Sequence, residues 1–140
     1  MARDRDPYMS AATAAFVLLG AGYLLREQGL FGPGISLFLG VLPNLAGCAA
    51  VPLIVAPLLR KRPNGPLSTK GTSALLGAAA ALIGATLIEA AHVVFNLGFF
   101  DLNDMVASVI GTGLGVALLF AIDRRSVGAE PAPFVVRGDA

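Results

Sequence analysis

Four long apolar runs, separated by short polar segments, constrain this 140-residue chain more than any other feature of its sequence. The runs cover residues 7–25, 34–59, 71–95 and 105–122, and each is close to the ~20 residues that an α-helix needs to cross a ~30 Å hydrocarbon core. Because 56% of the residues are hydrophobic and only 14% are charged, the chain is too apolar for an ordinary soluble domain. The sequence therefore predicts an all-α membrane protein in which residues 1–125 form a four-helix transmembrane bundle.

The distribution of basic residues predicts how this bundle is oriented. With four spans, both termini and the loop at residues 60–70 lie on one side of the membrane. That side carries nine of the ten Lys and Arg residues, and Arg26 is alone on the other side. The positive-inside rule then predicts cytoplasmic N- and C-termini in a multi-pass protein of the cell inner (cytoplasmic) membrane. Residues 126–140, which mix Gly, Pro and charges without periodicity, are predicted to be a mobile cytoplasmic tail.

Charge and cysteine content exclude several classes of function. The net charge is only +1 and no Lys/Arg stripe with interleaved aromatic residues occurs, so nothing indicates nucleic-acid binding. Cys48 is the only cysteine, which excludes a disulfide or a cysteine-based metal cluster within one chain. We therefore expect no cofactor and no metal site; a bound divalent cation is the one alternative. Carboxylate, hydroxyl and amide oxygens near the third and fourth runs suit Mg²⁺ or Ca²⁺, whereas zinc normally needs more imidazole or thiolate than one His supplies.

An acidic residue within the third apolar run is the main functional candidate. Glu89 precedes Asn96, where the run ends, by seven residues, which places it ~10 Å inside the helix at ~1.5 Å per residue. A carboxylate at such a position costs ~3 kcal/mol on insertion scales, so it is expected to face the bundle interior and not lipid. Asn44 lies at a comparable depth in the second run, and His92 extends the Glu89 face toward the loop.

Small residues recur on one face of the third run and one face of the fourth. In the third run the strip comprises Gly77, Ala81, Ala85 and Glu89. In the fourth run it comprises Asp104, Ser108, Gly111 and Gly115. Small residues at this spacing allow helices to approach closely, and we expect the two strips to meet. The Gly111/Gly115 and Gly77/Ala81 seams are also the surfaces through which a membrane-protein partner would bind.

Two aspartates stand where the fourth run begins. Asp101 precedes the helix, where a carboxylate accepts hydrogen bonds from free backbone amides and complements the helix dipole, so its structural interpretation is a helix cap. Asp104 lies one turn further in, on the face of Ser108, and has no such local role. For Glu89 the structural interpretation is a hydrogen-bonded carboxylate that joins helices. The functional interpretation is favoured because acids within a membrane are functional by default.

The spacing of these residues resembles the signature of the VanZ-like family of four-span bacterial membrane proteins. That signature reads I-E-x-x-Q, an arginine in the following break, D-x-x-D, and then N-x-x-G-x-x-x-G. The matching residues are Glu89, Asp101, Asp104, Gly111 and Gly115. Three positions differ: His92 replaces Gln, Ser108 replaces Asn, and the break at residues 96–100 has no arginine. The resemblance implies a role in the cell envelope, since the family's named member is associated with tolerance of teicoplanin-type glycopeptide antibiotics.

These observations favour an outward-facing acidic pocket that binds or modifies a membrane lipid or a lipid-linked envelope precursor. Neighbouring acids repel a second negative charge, so they would share a proton and support general acid/base chemistry. His92 would relay protons near neutral pH. The predicted catalytic residues are Glu89, His92 and Asp104. The predicted ligand-binding residues are Asn44, Asn96, Asp101 and Ser108.

Other functions stay open at this point, including whether any reaction is catalysed. In a non-enzymatic accessory or assembly protein, the small-residue seams would bind another membrane protein and the acids would only stabilise the fold. A proton or ion pathway would need polar residues across the full depth, and residues 71–85 offer only Thr72 and Ser73 near one end. Ser108, His92 and Asp104 also form a conceivable nucleophile, base and orienting acid, although no Gly-x-Ser-x-Gly turn surrounds Ser108.

Overall fold

The computed structural model describes residues 6–28, 32–61, 66–96 and 99–128, and these form four α-helices. The helices are α1 (Pro7–Glu27), α2 (Pro33–Arg60), α3 (Lys70–Val94) and α4 (Leu102–Gly128). Each is long and apolar enough to span a membrane, which confirms the prediction of four apolar helices. Of the basic residues used to predict the orientation, four lie outside the described residues: Arg3, Arg5, Arg62 and Arg137.

Local sequence signals explain where the helices begin and end. Asp6 caps α1, because its carboxylate accepts hydrogen bonds from the amides of Tyr8 and Met9 at 3.0 and 3.4 Å. Thr69 caps α3 in the same way. The fourth helix begins three residues earlier than the predicted span and continues to Gly128. Both ends extend beyond the span because charged residues end an apolar run without ending a helix. The remainder of the predicted tail, residues 129–140, lies outside the described residues.

Helix α2 is the central element and packs against the other three helices, whereas α1 and α3 do not pack against each other in the described part of the chain. A Cβ at Gly111 or Gly115 would overlap the backbone carbonyl oxygens of Leu45 and Ala49 on α2, so only glycine permits this approach. Gly77 approaches α2 as well, at Pro52.

The expectation that the strips on the third and fourth runs meet each other is wrong for their glycines, which pack on α2. The helices α3 and α4 do contact each other, and Glu89 at the end of the α3 strip accepts a bond from the amide of Asp101. The two strips pack principally on the helix between them, because α2 presents the backbone surface that both sets of glycines approach. A partner helix bound through the Gly111/Gly115 or Gly77/Ala81 seam would have to displace α2. The prediction of a membrane-protein partner stays untested by this packing.

The bundle has two ends that differ in packing. The terminal end comprises the starts of α1 and α3 and the ends of α2 and α4; the distal end comprises the opposite four helix ends. The buried apolar cluster lies toward the terminal end and contains Ala12, Ala50, Leu53, Ala56, Ala74 and Leu119. Large apolar side chains cover much of the outer surface, as expected for helices that face lipid.

Candidate functional site

The buried glutamate lies at the distal end and contacts the start of α4. Glu89 is only 4% exposed, which agrees with the prediction that it faces the bundle interior. Its Oε2 atom accepts a hydrogen bond from the backbone N–H of Asp101 at 3.4 Å. Its Oε1 atom lies 3.9 Å from Nδ1 of His92. Glu89 and Asp101 therefore converge across the connection between α3 and α4.

Two of the predicted ligand-binding residues have local structural roles at this connection. Asp101 accepts a hydrogen bond from the amide of Asn103 at 2.8 Å, which is the cap that its position before α4 predicts. Asn96 follows the last residues of α3 with φ of 54°, a left-handed conformation that Asn adopts more readily than most residues. Asn96 therefore ends α3.

Asp104, Asn44 and Arg26 meet at the distal end although they come from three different helices. The side chain of Asn44 is within hydrogen-bonding reach of the Asp104 carboxylate. The guanidinium of Arg26 lies on the opposite wall of the same cavity as the Asp104 carboxylate. Asp101 and Glu89 lie near enough to Asp104 for the three negative charges to repel one another.

These charged groups line a cavity of about 170 Å³, here called the polar cavity. Its wall is formed by the end of α1, the start of α2 and the start of α4. The lining residues are Arg26, Ser36, Leu37, Gly40, Val41, Asp101, Asn103 and Asp104. Sequence reasoning missed Arg26, because it looked for an arginine between α3 and α4, whereas the chain supplies one from the end of α1.

A second cavity of about 270 Å³, here called the apolar groove, lies between α1, α2 and α3. Phe16 and Leu19 line it from α1. The lining residues from α3 are Ala80, Ala81, Gly84, Ala85 and Ile88. On α2, every fourth residue belongs to one face: Ser36 and Gly40 line the polar cavity, and Asn44 and Cys48 line the apolar groove.

Asn44 connects the two cavities, since it lines the groove and its side chain is within reach of the Asp104 carboxylate in the polar cavity.

Four of the predicted catalytic or binding residues line neither cavity: Glu89, His92, Asn96 and Ser108. The side chain of His92 is 44% exposed and contacts Glu89 alone among the described charged residues. Ser108 is buried, and its hydroxyl donates a hydrogen bond to the backbone carbonyl of Asp104 at 2.8 Å. That hydroxyl is engaged within its own helix, which gives no support to a nucleophilic role.

A second polar cluster, which sequence reasoning missed, lies at the terminal end and is called the terminal network here. Nη1 of Arg60 donates hydrogen bonds to both carboxylate oxygens of Asp123 at 2.9 Å, and the hydroxyl of Tyr8 donates to the same carboxylate at 2.5 Å. Nε of Arg60 donates to Oγ of Ser73 at 2.7 Å. The network therefore connects all four helices. The sequence indicates this network only through the opposite charges of Arg60 and Asp123, which lie near the ends of two helices on the same side of the predicted membrane.

The described residues contain no group of three or more His, Cys, Asp or Glu side chains placed to hold a metal ion. Asp101 and Asp104 line the polar cavity without forming such a set. No known family model, curated protein or solved structure matches this chain. The resemblance to the VanZ-like family accordingly rests on the motif residues alone.

Proposed function

We propose that this protein binds a membrane amphiphile, with the polar headgroup in the polar cavity and an acyl chain in the apolar groove. The observation that supports this most directly is the arrangement of both cavities along one face of α2. Gly40 and Asn44 are one turn apart, or about 6 Å at 1.5 Å per residue. A charged cavity at the end of a span and an apolar groove directly below it match the two parts of a lipid.

The packing of the helices supports access from the bilayer. Because α1 and α3 do not pack against each other within the described helices, the apolar groove lies between two helices that are separated along α2. The groove walls are mostly apolar, with Asn44 as a polar group near the polar cavity. An acyl chain can enter such a groove laterally without leaving the hydrocarbon region.

The orientation and the kind of amphiphile belong to the same proposal. The excess of Lys and Arg at the terminal end favours cytoplasmic termini, which places the polar cavity at the outer surface of the cell inner membrane. An envelope lipid or lipid-linked precursor would be available there. Chemical modification of that ligand would depend on Glu89 and Asp104 as proton-exchanging groups, and glycopeptide tolerance is the cellular phenotype that the family resemblance suggests.

A glycine substitution tests the proposal with a matched control. Gly84 lines the groove, and a Cβ there meets nothing within 4 Å, so Gly84→Leu would fill the groove without a backbone clash. Gly113 is equally open but lines neither cavity, so Gly113→Leu is the control. Both changes raise helix propensity by up to ~1 kcal/mol, which protects the fold.

The measurement is native mass spectrometry of the detergent-purified protein titrated with dioleoyl phospholipids. We expect Gly84→Leu to weaken lipid binding by roughly tenfold, because the leucine fills space in the groove and removes packing contacts that the acyl chain would make there. Gly113→Leu should bind like the unmodified chain. Equal lipid binding by the two variants would contradict the proposal.

A specific observation also favours the accessory-protein alternative. Glu89 accepts a bond from a backbone amide at the start of α4, and Asp101 caps that helix, so both acids stabilise the fold. If this were their whole function, Glu89→Leu would lower thermal stability while Gly84→Leu left both lipid binding and any envelope phenotype unchanged. Loss of binding or phenotype in a stably folded Gly84→Leu variant would exclude that alternative.

A further inference from the structure

The polar cavity contains charges of both signs that do not pair with each other. Arg26 lies on the α1 wall, and Asp101 and Asp104 lie on the α4 wall. Among the described residues the ion pairs join Arg60 to Asp123 and His92 to Glu89, and Arg26 forms none. A cation and two anions that share one cavity, with no direct ion pair between them among the described residues, favour a ligand that itself carries both charges.

The cationic wall suits a phosphate group. Arg26 lies in the last turn of α1, at the end of a span, where the phosphates of a bilayer leaflet are found. A guanidinium offers a planar set of N–H donors that matches two phosphate oxygens at once, which makes arginine well suited to this group.

The acidic wall suits a primary ammonium group. Ionised carboxylates only accept hydrogen bonds, and an ammonium group offers three N–H donors. Asp101 uses Oδ1 for the amide of Asn103, which leaves Oδ2 for a ligand. Quaternary ammonium groups are instead recognised by aromatic rings, and the described lining of the polar cavity has no aromatic residue.

We infer that the headgroup bound in the polar cavity is a phosphoethanolamine-type zwitterion, with its phosphate at Arg26 and its primary ammonium at Asp101 and Asp104. This inference rests on the proposed function, because the acyl chain of the same lipid occupies the apolar groove. Asn44 lies where the headgroup and the chain meet. A phosphoglycerol headgroup would bring no cation to the two carboxylates, and a phosphocholine headgroup would bring no N–H donor.

The test is a native mass spectrometry titration with three lipids that share dioleoyl chains: phosphatidylethanolamine, phosphatidylcholine and phosphatidylglycerol. We expect phosphatidylethanolamine to bind roughly tenfold more tightly than the other two, as the loss of one charge-assisted hydrogen bond implies. The double change Asp101→Asn and Asp104→Asn should abolish this preference. Asn also caps helices, so α4 should keep its start.

Arg26→Gln should have a different signature. All three lipids carry the phosphate, so this change should weaken each of them by a similar factor of roughly ten and preserve their order. Arg124→Gln is the matched control, because Arg124 is exposed at the terminal end, and it should change nothing.

Two results overturn the inference, and they differ in what they leave standing. If the three lipids bind equally while Gly84→Leu still weakens all of them, the headgroup assignment is wrong and the proposed function survives. If no lipid binds, or Gly84→Leu binds like Gly113→Leu, the proposed function fails and the headgroup assignment fails with it. A preference for phosphatidylethanolamine that persists in the double Asn variant also contradicts the assignment.

Discussion

The two ends of the bundle each bury an acid, but they satisfy it in different ways. At the terminal end, Asp123 is 5% exposed and accepts short hydrogen bonds from Arg60 and Tyr8. At the distal end, Glu89 is equally buried, and its partners among the described residues are a backbone amide at 3.4 Å and an imidazole nitrogen at 3.9 Å. Asp123 therefore has short, charge-assisted hydrogen bonds, whereas the contacts of Glu89 in the described part of the chain are longer.

This difference indicates which end stabilises the fold and which end can accept a ligand. A buried acid that is charge-paired and hydrogen-bonded on both oxygens has no free acceptor for a ligand. Removing its partner leaves an unpaired buried charge, which lowers the free energy of unfolding by several kcal/mol. Asp101, whose amide bonds Glu89, and Asp104 line the open space of the polar cavity, where a ligand can supply partners to their carboxylates. We therefore assign stability to the terminal network, and the proposed lipid binding involves the distal end.

The largest effect is expected from Asp123→Ala, which would leave Arg60 buried without its counter-charge. Breaking such a pair costs about 3–5 kcal/mol, and the 17% exposure of the Arg60 side chain places the expected loss toward the lower value. The free energy of unfolding can be measured by denaturant titration in detergent micelles. Arg124→Ala, at the exposed neighbouring position, should change it by less than about 0.5 kcal/mol. Equal stability of the two variants would contradict a stabilising terminal network.

An intermediate effect is expected from Tyr8→Phe, which removes the hydroxyl donor to Asp123 and keeps the ring. A hydrogen bond to a charged group contributes about 1.5–3 kcal/mol, and we expect a loss near the lower value because Arg60 still pairs with the carboxylate. Tyr23 on the same helix is exposed, so Tyr23→Phe is the matched control. A Tyr23→Phe variant that loses as much stability as Tyr8→Phe would show that the bond to Asp123 contributes nothing specific.

The smallest effect is expected from Glu89→Gln at the distal end. The amide oxygen of Gln can still accept the bond from the N–H of Asp101, so the loss of stability should stay below about 1 kcal/mol. Glu89→Leu leaves that N–H without a partner and should cost about 1–3 kcal/mol. Thermal unfolding of both variants checks this order. A Glu89→Gln variant as unstable as Asp123→Ala would contradict the assignment of a larger stabilising role to the terminal end.

Much of the distal end follows from the sequence. The number of helices follows from hydropathy, and the burial of Glu89 follows from the expense of placing a carboxylate in lipid. The cap at Asp101 follows from its position before an apolar run. Each of these inferences depends on one helix or one connection, where periodicity and spacing are informative.

The remaining features depend on how different helices are arranged. The role of α2 as the central helix, the approach of Gly111 to Leu45, and the entry of Arg26 into the polar cavity all join residues that are distant in sequence. Asp123 was overlooked because it stands next to Arg124 and Arg125, where a charge ordinarily marks the end of a span. A charge at a span end can equally pair with an opposite charge on another helix, and spacing alone does not distinguish the two cases.

Hydrogen–deuterium exchange with and without dioleoyl phosphatidylethanolamine tests the assignment of the two ends most directly. If the distal end binds the lipid, exchange should slow in residues 36–44 and 102–108 and stay unchanged in residues 54–60 and 119–126. Slowing that is equal at both ends, or confined to the terminal end, would contradict the division between a stabilising end and a binding end.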